Sequence, residues 1–440
     1  MNLKKVAFLA SAALMVSFLA GCKSNSGTVN ADLTYWCPSV DNEVMETLVE
    51  RFKASKEEYA DLVIQRAANW GEGETSSQLV KDINKAADVM LMADDNIRAS
   101  VASEGLAELD ASDVTKFTTE AGKAAVDACS IDGTLYGFPY RADNSPMPFY
   151  DKTMFTGEDA NKINSLEGML EVAEKNNAKV YLDMGNGWYN AFLLWTNGGD
   201  FGINKEDNGK LSIATNFGDQ SAETKATRGK IAKVLEATKA LYNRYKDVWV
   251  SSSENSLVEA GFKGDDANNK IAVAFLWNDI TAIRAANNNV AVAKWPTLKV
   301  EEKDLQLHCF QSYKAIVCKN GIDEERVELA KEFGRFLAGE DAQKLRADLL
   351  QYGPADLSVA ASYDASKLPF STAIREMQAA NLTHSQAIRT TGDFWTPMQT
   401  LGELVINKST GWGTLGDADT ALRSLCSSSG WSLTAVINQN

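Results

Sequence analysis

The sequence predicts an α/β protein of two lobes, each a mostly parallel β-sheet flanked by helices. Short apolar segments alternate with segments of helical periodicity along most of the chain. A chain of 440 residues with 45% hydrophobic content exceeds what one core usually serves. Pro139, Pro146 and Pro148 lie close together, so no helix passes through the stretch that would join the two lobes.

The first 21 residues are predicted to be a signal peptide. Lys4 and Lys5 precede an apolar stretch, 6–19, that is short for a membrane span. The Leu-Ala-Gly-Cys sequence ending at Cys22 resembles a bacterial lipobox. This resemblance implies that Cys22 is lipidated. The alternative is an ordinary signal peptide with an incidental cysteine. Residues 22–32 would form a polar tether. We therefore expect an exported protein, lipid-anchored in the cell envelope, periplasmic or on the outer face.

Composition excludes several kinds of partner. The net charge of −15 disfavours nucleic acid and anionic lipid, so we expect membrane contact only through the lipid anchor. None of the other cysteines forms a C-x-x-C pair, so no metal site or cofactor is expected. We expect these cysteines to be small buried residues, with one disulfide left open among Cys37, Cys129, Cys309, Cys318 and Cys426.

Strand and helix alternate in the first part of the chain. A strand is predicted over 33–37, and Asp41 is predicted to cap a helix with apolar residues at 44, 45, 48 and 52. A strand over 61–67, a helix over 78–87 and a buried strand over 87–92 follow. Because ligands bind at the carboxyl ends of parallel strands, candidates for a cleft follow these strands: Ser39, Trp70, Asp94, Asp95 and Asn96.

Residues 131–152 predict a passage between the lobes. Strand-forming residues at 135, 138 and 140 precede a polar group consisting of Arg141, Asp143, Asn144 and Ser145. Clefts between domains commonly bind small ligands, so we expect the floor of a cleft at this passage.

The same alternation continues beyond the passage. The predicted strands cover 178–182, 271–277, 289–294 and 313–318. The predicted helices cover 166–176, 227–245 and 324–337, and the tail, 357–430, is rich in helix formers. Trp188, Phe192 and Trp195 have the spacing of one helix face, which ends at Gly198-Gly199.

Tryptophans with polar neighbours are the main chemical signal. Trp70, Trp188, Trp277 and Trp395 fall where loops should meet the cleft. An indole gives an apolar plate for a pyranose ring, and nearby Asp, Asn and Arg side chains can bond its hydroxyls; the alternative for each Trp is burial in the core. The chain has only two histidines and no metalloprotease, serine-hydrolase or phosphate-loop motif.

An ordered series of motifs resembles the extracellular solute-binding proteins of ABC importers, of the maltose- and oligosaccharide-binding type (family 1). After the lipobox come D-V-M-L-M-A-D-D-N, G-L-A-E-L-D, I-D-G-T-L-Y-G-F-P-Y, F-Y-D-K, A-V-A-F-L-W and E-L-A-K-E-F-G-R-F-L. The resemblance covers nearly the whole mature chain. It implies the periplasmic-binding-protein fold (type II), with two lobes of discontinuous segments that close on a ligand by hinge motion.

The resemblance also implies lobe boundaries. The N-terminal lobe would comprise 33–142 plus 308–352, and the C-terminal lobe 147–305 plus 353–440, with hinge crossings at 143–146 and 306–307.

The resemblance assigns five ligand contacts. Asp95 and Asp143 match acidic contacts to sugar hydroxyls, and the matching stacking aromatics are Trp188, Trp277 and Trp395. Two features depart from maltose binders: Met92 stands where they carry a Trp, and Arg141 is larger than their residue.

We therefore expect a monomeric, non-catalytic binding component that captures a carbohydrate and delivers it to permease subunits. Two alternatives remain open. One keeps the architecture but binds a peptide, polyamine or metal complex, for which Asp94, Asp95 and Asp143 would suit a cation. The other is a surface glycosidase, since paired carboxylates are plentiful.

Overall fold

The computed structural model describes residues 31–205, 209–219, 221–264, 269–278, 280–406 and 416–431. The predicted signal peptide and Cys22 lie outside the described residues, as do residues 22–30 of the tether. Two separate mixed sheets with helices packed around them form the body, which confirms the predicted two-lobe α/β class.

The first third of the chain alternates between strands and helices. Its elements are β1 (Leu33–Cys37), α1 (Asn42–Ser55), β2 (Ile64–Asn69), α2 (Thr75–Lys81), β3 (Val89–Ala93), α3 (Asp94–Ala102), α4 (Ala111–Glu120), α5 (Lys123–Ala128), β4 (Ser130–Ile131), β5 (Thr134–Leu135), β6 (Gly137–Asn144) and β7 (Met147–Asp151).

The middle third contains most of the second sheet. Its elements are α6 (Leu166–Lys175), β8 (Lys179–Tyr181), α7 (Gly187–Asn190), α8 (Phe192–Trp195), β9 (Phe201–Lys205), β10 (Leu211–Thr215), α9 (Ala222–Arg244), β11 (Trp249–Val250), α10 (Asn255–Lys263), β12 (Ile271–Leu276), α11 (Ile280–Ala286), β13 (Val290–Val292), β14 (Thr297–Val300) and β15 (Lys303–Gln306).

The last third begins with the longest strand and is otherwise mostly helical. Its elements are β16 (Cys309–Cys318), α12 (Glu324–Leu337), α13 (Glu340–Leu350), α14 (Leu357–Ala361), α15 (Pro369–Ala379), β17 (Thr383–Ser385), α16 (Gln386–Arg389), α17 (Trp395–Ile406) and α18 (Ala418–Ser428).

Each sheet combines parallel pairs with antiparallel strands at the passages between lobes. In the first sheet β1 pairs in parallel with β2 and β3, while β16 runs antiparallel to β3 and β6. In the second sheet β8 pairs in parallel with β11 and β12, while β7 runs antiparallel to β12 and β13. β6, β7 and β16 are therefore the strands through which the chain passes from one sheet to the other.

Two hydrophobic cores correspond to the two sheets. The first core gathers residues from 33 to 140, 313 to 342 and Ala355, and the second gathers residues from 147 to 310 and 370 to 431. Cys309 and Phe310 pack in the second core, although the predicted boundaries place them in the N-terminal lobe. We propose the predicted lobes with two changes: the second crossing extends over the start of β16, and the last segment of the C-terminal lobe begins after Ala355, which packs in the first core.

Local structure departs from the sequence prediction where turns interrupt a periodic pattern. β2 begins at Ile64 rather than 61, because a turn precedes it, in which the Leu62 amide donates to the Tyr59 carbonyl at 3.1 Å. α2 ends at Lys81 because Asp82 is extended, with φ −159°. The predicted Trp188–Trp195 helix face is split between α7 and α8, and Trp195 is buried against Phe201.

The buried residues otherwise follow the predicted pattern. The apolar face of α1 is buried, as are the five cysteines that the structure describes, and all five are free thiols. Asp41 stands at the start of α1, but its side chain makes no capping bond and instead accepts a hydrogen bond from the Tyr352 hydroxyl at 2.8 Å. Burial, with a contribution from Glu72, raises the pKa of Asp41 to about 6.

Candidate functional site

An open cleft of about 1090 Å³ lies between the two lobes. From the first sheet, the segments that follow β1, β2 and β3 supply Val40, Glu72 and Asp95. From the second sheet, the segments that follow β8 and β12 supply Trp188 and Trp277. The carboxyl ends of the parallel strands thus face the cleft from both sides, as expected for a ligand site in an α/β fold.

Three tryptophans line the cleft on the side of the second lobe. Trp277 directly follows β12 and is 42% exposed, which is unusual for so large an apolar side chain. Trp188 is partly buried and packs edge-on against Tyr189, with ring centroids 5.1 Å apart. Trp395 is also partly buried and packs edge-on against Phe394 at 5.1 Å. The indoles of Trp188 and Trp395 are thus held by the protein while part of each lines the cleft, and Trp277 is the most exposed of the three.

A close approach of two helices positions Trp188 and Trp395. The side-chain amide of Asn190 on α7 donates to the Met184 carbonyl and to the Met398 carbonyl of α17, each at 2.8 Å. A Cβ on Gly402 would lie 1.6 Å from the Met184 carbonyl oxygen, so only glycine permits this approach. The short helix that carries Trp188 is therefore fixed against the helix that carries Trp395.

A buried arginine organises the charged floor of the cleft. Arg141 donates from Nε to Asp143 at 2.9 Å and from Nη1 to Glu72 at 3.0 Å. Its guanidinium lies 3.3 Å from the centre of the Tyr352 ring. Burial disfavours the charge, but Asp143, Tyr352 and Glu72 outweigh it and raise the pKa of Arg141. Arg141 therefore stays charged as part of the wall of the cleft.

Several neighbouring groups stabilise the Glu72 carboxylate in its charged form. The Tyr140 hydroxyl donates to the same Glu72 oxygen at 3.0 Å. Burial alone would raise the pKa of Glu72, but Lys314 and Arg141 outweigh it and lower that pKa. Lys314 also lines the cleft, and in the part of the chain that the structure describes its ammonium has no ion-pair partner. The first lobe thus presents the Glu72 carboxylate and the Lys314 ammonium to the cleft.

Asp94 and Asp95 differ in position although they are adjacent. Asp94 is buried behind the cleft and accepts bonds from the amides of Tyr313 and Asp95, each at 2.8 Å. Asp95 lines the cleft and accepts from the Gln386 amide at 2.7 Å. Burial raises the pKa of both carboxyls, and the charge of Asp95 raises that of Asp94 further.

The ligand-binding set taken from the sequence consists of the five contacts that the resemblance assigns together with Trp70, Asp94, Arg141 and Asn144. The structure brings seven of these nine residues together. The seven that line the cleft are Asp95, Arg141, Asp143, Asn144, Trp188, Trp277 and Trp395. Asp94 does not line it, and neither does Trp70, which packs edge-on against Trp36 in the first core. Met92 is fully buried in the same core, so it presents no surface to the cleft.

Among the cleft residues that were not predicted from the sequence as contacts, four carry charged or polar groups from distant parts of the first lobe and the tail: Glu72, Lys314, Tyr352 and Gln386. Glu72 could have been found from its place in the loop after β2. Lys314 carries a signal as well, since a lysine within the apolar strand β16 needs a polar environment. Tyr352 and Gln386 are brought to the cleft by long-range packing and carry no local signal.

The described residues contain no group of three or more His, Cys, Asp or Glu side chains placed to hold a metal ion. They also contain no helix with the length and apolar content to cross a membrane.

Two α/β lobes that enclose a cleft of aromatic and charged side chains define a binding protein for a small solute. The chain belongs to the family of bacterial extracellular solute-binding proteins, whose sequence profile matches residues 47–371. No curated protein matches the chain in sequence.

Several solved structures share the fold. One described as "with acarbose" is 23% identical, with a TM-score of 0.71 over 90% of this chain and 97% of its own. The maltodextrin binding protein MalE1 from L. casei BL23, without ligand, is 16% identical, with a TM-score of 0.70 over 91% of this chain and 99% of its own. The Thermus thermophilus maltotriose binding protein, bound with maltotriose, is 15% identical, with a TM-score of 0.66 over 90% and 98%.

Proposed function

We propose that this protein captures a sugar or oligosaccharide in the interlobe cleft and releases it, chemically unchanged, to the permease of an ABC importer. The observation that carries the proposal is the composition of the cleft. Trp188, Trp277 and Trp395 offer apolar faces on one lobe, while Glu72, Asp95 and Lys314 offer polar groups on the other. A pyranose has apolar faces and a hydroxyl rim, and binding sites of this kind combine apolar walls with a few placed polar groups.

The known ligands of similar folds support the same solute class. Relatives with this architecture are described with acarbose, maltotriose and maltopentaose. We propose residues Asp95, Asp143, Asn144, Arg141, Trp188, Trp277 and Trp395 as the ligand-binding set, with Arg141 and Asp143 shaping the floor. The volume of about 1090 Å³ slightly exceeds the usual range for small-molecule sites, which favours an oligosaccharide over a single ring.

Export and anchoring complete the proposal. The family name indicates an extracellular protein. We propose that residues 1–21 direct export, that Cys22 carries the lipid, and that a monomer is held at the membrane by residues 22–32. Mass spectrometry of the mature protein tests this directly: the expected N-terminus is a lipid-modified Cys22, and an unmodified N-terminus at another residue would contradict it.

A thermal-shift screen tests the solute class. Ligands that bind only the native state raise the melting temperature, and the rise grows with concentration. The panel should contain maltose, maltotriose, maltopentaose and acarbose together with other oligosaccharides, a peptide mixture and spermidine. A rise confined to saccharides is expected. A rise with peptides or spermidine and none with saccharides would overturn the carbohydrate assignment, and cleavage of a saccharide would overturn the non-catalytic role.

A further inference from the structure

Asn278 reaches across the floor of the cleft from one lobe to the other. It follows β12 in the second sheet, and its side-chain nitrogen donates to Asp143 Oδ2 at 2.6 Å and to the Gln351 carbonyl at 3.0 Å. Asp143 belongs to β6 of the first sheet, and Gln351 follows α13, which packs against α1 and α12 of the first lobe. The Asn278 amide therefore bonds one lobe to the other at the floor, in addition to the Gln386–Asp95 bond and the exposed Lys205–Asp132 ion pair.

The acceptor for this tie is held in place by the first lobe. Asp143 accepts from Arg141 Nε at 2.9 Å through Oδ1 and from the Gly353 amide at 2.8 Å through Oδ2. A Cβ on Gly353 would lie 2.7 Å from the Asp143 Cβ, so glycine is required for this approach. Both carboxylate oxygens are thus engaged within the protein, and the orientation of Asp143 is fixed independently of Asn278.

The orientation of the Asn278 amide follows from its neighbours. A carboxylate and a carbonyl can accept hydrogen bonds but not donate them, so the nitrogen must face Asp143 and Gln351. The carbonyl oxygen, Oδ1, then points the other way. It is buried and has no hydrogen-bond partner among the described residues, although Asn278 lines the cleft. A buried acceptor without a partner is unfavourable, so a donor placed beside it is stabilised.

We propose that Asn278 couples ligand binding to lobe closure. Its nitrogen holds the lobes together at the floor, and its oxygen accepts a hydrogen bond from the ligand. The inference rests on the proposed function and narrows it: the bound solute presents a donor, a hydroxyl in a carbohydrate, at this position. A ligand hydroxyl on Oδ1 orients the amide and strengthens the tie, so the closed arrangement binds ligand more tightly than an open one.

Two substitutions at position 278 test whether the Asn278 amide holds the lobes together and binds the ligand. Asn278→Asp keeps the shape but places a carboxylate against Asp143, and Asn278→Ala removes both halves of the amide. Small-angle scattering of the ligand-free chain should show a larger radius of gyration for both variants than for the unchanged protein. Calorimetric titration with the saccharide that gives the largest thermal shift should show affinity weakened by about tenfold or more.

Asn287→Asp is the matched control. The Asn287 amide donates to Asp151 at 3.0 Å, so this change also sets two carboxylates together, but within the second lobe and outside the cleft. It should lower the melting temperature while leaving the radius of gyration and the affinity unchanged.

Four outcomes overturn the inference or its basis. Unchanged scattering in both Asn278 variants would refute the tie. Unchanged affinity of both Asn278 variants would refute the hydrogen bond to the ligand. If the Asn287→Asp variant showed the same changes in scattering and affinity as the Asn278 variants, loss of stability alone would explain those changes. If the unchanged protein binds no saccharide, the proposed function fails together with the ligand half of the inference, while the scattering still decides the tie.

Discussion

At the scale of single residues, the cleft contains side chains of two kinds: some are bonded to other groups of the protein, and others are exposed. Arg141 is held by Glu72 and Asp143 and covered by Tyr352. Trp277, by contrast, is 42% exposed within the cleft. The first kind of residue determines the shape of the site, and the second kind is free to contact the ligand.

Replacing Trp277 by alanine should weaken saccharide affinity by about tenfold or more, because a buried aromatic anchor commonly contributes about 2 kcal/mol to binding. Calorimetric titration measures the effect. Trp70→Ala is the control, since Trp70 packs against Trp36 outside the cleft and should affect the melting temperature alone. Equal affinity of the Trp277 variant and the unchanged protein would contradict the site.

Replacing Arg141 by methionine should lower the free energy of unfolding by about 3–5 kcal/mol, because it leaves the carboxylates of Glu72 and Asp143 buried without their cation. Denaturant titration gives the value. Lys123→Met is the control, since its ion pair with Asp127 is exposed and should contribute less than about 1 kcal/mol. If both variants lost the same small amount of unfolding free energy, the pairing of Arg141 with Glu72 and Asp143 would not stabilise the folded protein as described.

At the scale of elements, the site is assembled from strand ends and from one helix contact. The loops after β1, β2, β3, β8 and β12 deliver side chains to the cleft because the parallel strands of each sheet end on the side that faces it. The contact between α7 and α17 adds Trp188 and Trp395, and it requires the glycine at position 402.

Gly402→Ala should destabilise the protein by about 1–3 kcal/mol, since the new methyl would meet the Met184 carbonyl and force the helices apart. Saccharide affinity should fall as well, because Trp188 and Trp395 would separate. Gly392→Ala has open space around its Cβ and should change neither quantity. Thermal unfolding and calorimetric titration of both variants decide whether the contact matters.

The sequence predicts some element bounds and cleft residues correctly and misses others. Helix α12 and strand β1 have the predicted bounds because their apolar periodicity is uninterrupted. Trp277 and Asp95 could be predicted because each lies within two residues of the end of a buried strand. Tyr352 and Gln386 could not, because their positions depend on how α13 and α16 pack against distant elements. Trp70 carried the same local signal as Trp277, but packing against Trp36 keeps it outside the cleft.

At the scale of the whole molecule, two cores share three passages of chain. The chain crosses at β6–β7, again at the start of β16, and a third time between α13 and α15, where core contacts change from the first lobe to the second. Asn278 and Gln386 add side-chain bonds from one half to the other. Such an arrangement allows hinge motion of the two lobes about these passages.

The stability of the whole molecule should fall in mild acid through the pair His308 and His384. Their ring nitrogens Nδ1 and Nε2 are 2.8 Å apart, and burial, with the neighbouring His308 and Arg389, lowers the pKa of His384 to about 2. Burial also lowers the pKa of His308, while Asp200 opposes it. Both rings therefore bind a proton less readily in the folded protein than in the unfolded chain, where they titrate near 6.5. Their stabilisation is thus present above about pH 6.5 and is lost as the pH falls below it.

His384→Gln isolates this effect. Asp41, whose pKa is raised to about 6, acts in the opposite direction, so the test is the difference between variant and unchanged protein. Between pH 6.5 and 5 the unchanged protein should lose up to about 1.4 kcal/mol per pH unit more than the variant. Parallel curves in denaturant titrations would contradict the assignment.

The central claim is that a carbohydrate binds between the lobes, against the indoles of one and the polar groups of the other. A crystal structure of the protein with the saccharide of highest thermal shift tests it most directly. We predict an intact saccharide in the cleft, with its rings against Trp188, Trp277 or Trp395 and a hydroxyl on Asn278 Oδ1. A saccharide bound elsewhere, or a cleft in which these indoles contact only protein, would contradict the account.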